Sequence, residues 1–253
     1  MLYLIHFSPT GGTKAAADII GEAWEAKKCE IDLTRPEDTY KKYEFTRDDV
    51  CIVAVPSYGG RVPVTALERI NKMSGNDAAA IAVTTYGNRD YDDTLLELKE
   101  LLTNRGFRAG AAVVAVTEHS IMRQYGTGRP DEADRQQLRE FGRQIEKAFA
   151  NGKLRRDIKV KGKHPFRQYN GVPMKPKADG KCTSCGRCAK LCPTKAIPVD
   201  NPKSTDEQKC ISCMRCIQVC PENARKLNTL MFKAASAKLK KHCSSRKENE
   251  CIM

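Results

Sequence analysis

Twelve cysteines occur in the 253 residues, and eight of them fall in two copies of one pattern. Cys182, Cys185, Cys188 and Cys192 precede Pro193, and Cys210, Cys213, Cys216 and Cys220 precede Pro221, at a constant offset of 28 residues. Three thiolates two residues apart on a tightly wound loop can reach three irons of one cubane while backbone amides point at its sulfides. The spacing C-x2-C-x2-C-x3-C-P is that of iron-sulfur ligation, a chemistry of electron transfer. Structural zinc also uses C-x2-C pairs, but it joins a near pair to a distant one and has no need of four cysteines in one run. A disulfide framework belongs to secreted chains, and Met1 to Ile5 shows neither the basic flank nor the cleavage site of a secretory signal.

From Lys181 to about Lys226 the sequence resembles a bacterial ferredoxin with two 4Fe-4S clusters, and every ligand position is filled. The resemblance implies crossed ligation, because the fourth cysteine of each run serves the other cluster. Cys182, Cys185, Cys188 and Cys220 would then hold one centre, and Cys210, Cys213, Cys216 and Cys192 the second. Cys29 and Cys51 lie in apolar runs and read as core thiols. Cys243 and Cys251 fall in a polar tail.

Such a domain needs only some fifty residues, so the elements that position it must be sought upstream. Leu2 to Phe7, Cys29 to Leu33, Val50 to Val55, Ala79 to Thr84 and Ala111 to Thr117 are short apolar runs, as buried parallel strands are. Helical spacing fills the intervals, with Leu95, Leu98 and Leu102 on one face and Leu138, Phe141, Ile145 and Phe149 on another; Asn151-Gly152 stops the last helix. The alternation predicts an α/β fold, a doubly wound five-stranded parallel sheet in the order 2-1-3-4-5, followed by a small α+β domain. In such sheets ligands bind at the carboxyl ends of the strands.

At the end of the first strand stands Ser8-Pro9-Thr10-Gly11-Gly12-Thr13, opening into a helix. Hydroxyls, free amides and a helix N-terminus can together surround a phosphate. The loop is neither a Walker sequence nor G-x-G-x-x-G; a plain glycine-rich cap uses the same residues. Pro56-Ser57-Tyr58-Gly59-Gly60-Arg61 and Thr85-Tyr86-Gly87-Asn88-Arg89-Asp90-Tyr91 follow the third and fourth strands, each setting an aromatic beside glycine. His119 follows the fifth.

These three loops resemble those of flavodoxins, and residues 1 to 150 as a whole resemble a flavodoxin-like domain. The resemblance implies FMN, its phosphate in the first loop, its ring flanked by Tyr58 and Tyr86, and Gly59 or Gly60 beside the reactive edge. The order of the whole chain resembles flavodoxin-ferredoxin fusion proteins, or flavoferredoxins. Expected domains are 1–151 for FMN, a basic proline-containing linker at 152–177, 178–228 for the clusters, and a basic tail at 229–253.

Residues 1–150 carry 20 basic and 23 acidic side chains, residues 151–253 carry 24 and 8, and the net charge is +13. Complementary steering toward an acidic ferredoxin, flavodoxin or other redox protein is the preferred reading. Nucleic acid competes weakly, since aromatics are not interleaved with the basic residues. No apolar run reaches membrane-spanning length, so no membrane insertion and a cytoplasmic location are expected. Two functions stand open: an electron carrier linking two 4Fe-4S clusters to FMN, or a ferredoxin-dependent flavin reductase of a quinone or nitro compound, with Tyr86, Tyr91 or His119 as proton donor. No dinucleotide loop marks a nicotinamide site. Electrons would pass from cluster to flavin within one chain, or between the two chains of a head-to-tail homodimer.

Overall fold

The computed structural model describes residues 1–36, 40 and 43–253. Five strands, β1 (Leu2–His6), β2 (Lys28–Asp32), β3 (Val50–Pro56), β4 (Ala79–Tyr86) and β5 (Arg108–Val116), pair in parallel in the order 2-1-3-4-5. This is the doubly wound order expected from the alternation of apolar runs. β4 is buried along its whole length and β5 nearly so, as strands covered on both faces must be. Alternation along β1 sends Leu2 and Leu4 to one face and Ile5 to the other. α1 (Gly12–Gly21) and α4 (Glu132–Ala150) cover the first face; α2 (Val64–Ile70) and α3 (Thr94–Asn104) cover the second. Gly142 lets α4 close on α1, since a Cβ there would lie 2.4 Å from the Ile20 carbonyl oxygen.

The cluster-bearing segment is an internal duplication in conformation as well as in sequence. β6 (Lys177–Ala178) and β7 (Arg225–Lys226) pair antiparallel and bracket it, with one-turn helices α5 (Arg187–Lys190) and α6 (Arg215–Gln218) inside. Left-handed backbone occurs at Ser184, Gly186 and Lys195 in the first copy and at Ser212, Met214 and Asn223 in the second. Each pair is separated by the same 28 residues as the cysteines. The ligand spacing therefore dictates one loop path, used twice.

Two expectations are corrected. Residues 152–177 do not hang as an extended linker: Ile158 is buried in the core under α2 and α3, and the amides of Lys163 and Arg167 donate to the Asp93 carboxylate at 3.1 and 2.7 Å. Arg156 pairs with Asp77, Lys161 with Asp90 and Arg167 with Asp92. Part of the basic excess is thus spent on the acidic first domain. Residues 229–253 are not a loose tail either, because they form α7 (Thr229–Cys243) and β8 (Glu250–Ile252). β8 runs antiparallel beside β5 as a sixth strand, with Cys251 opposite Val113, and Cys243 is buried. Of the two core thiols expected, Cys51 is buried and Cys29 half-buried.

The carboxy-terminal return is fastened by polar groups that periodicity does not reveal. Asn249 accepts from the Val116 amide at 2.8 Å and donates to Asp134 at 3.0 Å. Asp134, 1% exposed, also receives Arg129 and Arg246, and it completes a capping box with Asp131 at the start of α4. Among the described residues no helix is long and apolar enough to cross a membrane. Replacing Asp134 by Ala strands the buried Arg129 charge, so D134A should cost about 3–5 kcal/mol in denaturant unfolding; a loss within about 0.5 kcal/mol would show the network to be idle.

Candidate functional site

The eight cysteines separate into two groups of four around two cavities. Cys182, Cys185, Cys188 and Cys220 line one; Cys192, Cys210, Cys213 and Cys216 line the other. Each fourth cysteine thus faces the cavity of the opposite run. The fourth sulfurs are held alike: Cys192 Sγ accepts from the Ala196 amide and Cys220 Sγ from the Ala224 amide, both at 3.3 Å. Among the described residues no three Cys, His, Asp or Glu side chains converge as a single ion requires. The sulfurs surround a void rather than a point, which fits a polynuclear cluster.

Burial pushes the Cys216 thiol up to about 12 and the Cys213 thiol higher still. Thiolates there need cationic charge inside the cavity, and iron would supply it. The first cavity is the more open, since Cys185 is exposed and Lys181, Arg187 and Lys190 around it are exposed as well. The second faces inward.

At the carboxyl edge of the sheet, Gly11 takes a left-handed φ of 96° and leads into α1, whose N-terminus has no side-chain cap. Its free amides stay available to an anion. Neutral hydroxyls surround them. Ser8 Oγ accepts from the Lys14 amide at 2.9 Å, and the Thr13 and Thr85 hydroxyls share a hydrogen bond of 2.7 Å. Pro9, Thr10, Gly12, Thr13, Pro56, Ser57 and Thr85 line a small cavity here, about 50 Å³. It shares Ser57, Tyr58, Tyr86, Gly87 and His119 with a larger one of about 400 Å³.

Gly59 and Gly60 form the tip of a two-residue turn, with φ of +61° and +85° and paired Tyr58–Arg61 backbone bonds of 3.0 and 3.2 Å. Positive φ at both positions is the requirement of a type I′ turn. The ring of Tyr169, from the segment expected to be linker, lies on Gly59, where a Cβ would come within 2.1 Å of it. Tyr58, Tyr169 and His119 line the larger cavity; Tyr86 lines it too but is 7% exposed and packs on Tyr91 at 5.6 Å between ring centroids. Met231, Ala235 and Leu239 of α7 line it as well.

Three of the expected cofactor residues are placed elsewhere. Arg61 is bonded to Glu97 at 2.9 Å. Asn88 donates to the carbonyls of Cys243 and Ser245 at 2.6 and 2.8 Å and so ties down the carboxy-terminal return. Tyr91 donates to Glu250 at 3.0 Å. Arg89 and Asp90 reach the cavity rim, where Asp90 pairs with Lys161. Tyr169, Met174 and α7 escaped the sequence reading because nothing local marks them; only a lone tyrosine in a basic stretch hinted at one.

The two kinds of site adjoin. Ile211 lines both the second cysteine cavity and the 400 Å³ cavity, and the phenol of Tyr58 is buried near Cys213, which pushes it well above its ordinary range. His119 is held by its ring: Nδ1 accepts from the amides of Ile121 and Met122 at 3.1 and 3.2 Å. Burial, with the Arg89 charge behind it, lowers this imidazole to about 4, and burial raises Tyr86 to about 12.

Residues 181–224 match the family of 4Fe-4S dicluster domains. No curated protein matches the chain. Among solved structures it is similar to a flavodoxin of Streptococcus pneumoniae TIGR4, with 18% identity over 58% of this chain and 97% of that one and a TM-score of 0.40. It is similar also to an archaeal flavodoxin, at 14% over 59% and 98% with a TM-score of 0.40. A third is rubredoxin:oxygen oxidoreductase from Desulfovibrio gigas, at 14% over 59% and 36% with a TM-score of 0.43. The strand order, not these likenesses, carries the fold. The chain joins an amino-terminal domain with the doubly wound 2-1-3-4-5 strand order to a carboxy-terminal segment that matches 4Fe-4S dicluster domains.

Proposed function

We propose that the chain relays electrons between two 4Fe-4S clusters and FMN within a single molecule. The observation that carries this reading is the adjacency of the second cysteine cavity to the larger cavity of the α/β domain, with Ile211 in the walls of both. Cys182, Cys185, Cys188 and Cys220 hold the outer cluster, and Cys192, Cys210, Cys213 and Cys216 the inner one. FMN, when bound, supplies the ability to exchange either one or two electrons, where each cluster exchanges one.

The residues of the chain bind and orient. The free amides of α1 and the hydroxyls of Ser8, Thr10 and Thr13 receive the phosphate, and the cavity lined by Tyr58, Tyr86, Tyr169 and His119 receives the ring. α7 forms part of the wall of that cavity, and exchange with a protein partner is assigned to the outer cluster. Lys181, Arg187 and Lys190, exposed beside Cys185, suit an acidic redox protein. A head-to-tail dimer is not needed to bring cluster and flavin together.

The reductase reading is weakened by the three groups nominated as proton donors. A general acid works best with a pKa near the operating pH. His119 is neutral there, Tyr86 holds its proton too tightly, and Tyr91 is engaged with Glu250.

Replacing Cys210 by Ser should halve the iron and acid-labile sulfide of the purified chain and leave its flavin content unchanged; full loss of iron, or none, would contradict the grouping of the cysteines. Reduction by an acidic ferredoxin should slow steadily as salt is raised, because screening weakens steering. A rate indifferent to salt would remove the basic rim from the account. The His119 imidazole should not titrate between about pH 5.5 and 8, followed by its ring nitrogen shifts; a midpoint near its ordinary value of about 6.5 would restore it as a proton donor.

A further inference from the structure

A buried polar atom without a partner asks for a reason. Among the described residues the side-chain atoms in that position are His6 Nδ1, Trp24 Nε1, Thr84 Oγ1, Arg215 Nε and Arg225 Nε. Both arginines line cysteine cavities. Arg225 borders the outer one and Arg215 the inner one.

Arg225 is 2% exposed. A guanidinium carries five N–H groups and stays protonated in proteins. Four are used on oxygens of the surrounding loops: Nη1 donates to Pro176 O at 3.2 Å and Thr205 Oγ1 at 2.6 Å, and Nη2 donates to Ser204 O at 2.9 Å and to Pro202 O. These bonds fix the orientation of the group. Nε–H is the fifth, and it is enclosed with nothing to receive it. None of the four acceptors is a carboxylate, so a full positive charge is buried without an anion. The cavity that Arg225 borders is the one ringed by Cys182, Cys185, Cys188 and Cys220.

We infer that Arg225 is a tuning residue of the outer cluster: its Nε–H is the donor kept for that anionic group, and its buried charge raises the group's reduction potential. Reduction adds one electron, drawn from the external redox protein, and a fixed cation in a medium of low dielectric favours the more negative state. No proton accompanies the electron, because the arginine is charged throughout. Arg215 likewise leaves a buried Nε–H without a partner, at the inner cavity. It is half-buried and spends Nη1 on the Pro9 carbonyl across the domain boundary, so it serves as the comparison at the inner cluster. The inference rests on the two-cluster reading above.

The test is an EPR-monitored redox titration of the full chain carrying both clusters, with the inner signal identified by its loss in C210S. In R225Q the outer cluster should become harder to reduce by about tenfold in its equilibrium constant, about 59 mV for one electron. R225K, which keeps the charge and lacks the Nε–H, should fall between. Unchanged outer potential in R225Q at full iron content would overturn the inference. Should R225Q lose iron, wild-type protein labelled with 15N-arginine decides the matter by pulsed EPR of the reduced state. A guanidinium nitrogen coupled to the outer cluster, retained in R215K and in R187K, is expected with label confined to the guanidinium nitrogens, since Arg187 also lines that cavity; no such coupling overturns the role. Iron and sulfide analysis distinguishes this failure from that of the two-cluster reading, which would show half the iron in the unmodified chain.

Discussion

Two guanidinium groups join the cluster domain to the α/β domain, and the relay proposed above depends on them. Arg69, 9% exposed in α2, donates to the carbonyl of Pro193 at 2.6 Å, next to Cys192. Arg215 in α6 donates to the carbonyl of Pro9 at 3.1 Å, in the phosphate loop. Each thus joins a residue beside the second cysteine cavity to a residue of the other domain. Electron transfer falls off steeply with distance, so a domain that swung on a loose linker would carry current only intermittently. Here the carbonyls are satisfied by one buried and one half-buried donor, and the cation on Arg69 also lies over the Tyr40 ring at 5.7 Å.

The segments expected as a basic linker and a basic tail are the ones that complete this arrangement. Residues 152–177 pass along α3, bury Ile158 and place Tyr169 on the Gly59 turn. The return of the chain through α7 and β8 then closes the same cavity from the other side, tied by Asn88, Asn249 and Asp134.

The cysteine grouping and the five strands were legible because each is written in local spacing. Four thiols at fixed intervals admit one loop path, as the repeated left-handed backbone at Ser184 and Ser212 shows, and apolar runs of strand length alternating with helical periodicity admit few sheets. What could not be read is tertiary: the basic linker gave only charge, and its partners Asp77, Asp90 and Asp92 are far away in sequence. β8 is three residues long and has no periodicity to detect. Asn88 and Tyr91 sat in the right loop by position, yet their side chains turn to the carboxy-terminal return.

The central claim is that electrons pass between the inner cluster and FMN inside one chain. Flash photoreduction of the full chain, followed at the flavin and iron-sulfur absorption bands over a wide range of protein concentration, tests it most directly. The account predicts a first-order redistribution whose rate does not change with concentration and which is lost in C210S. A rate that rises in proportion to protein concentration would contradict it, since transfer would then run between molecules.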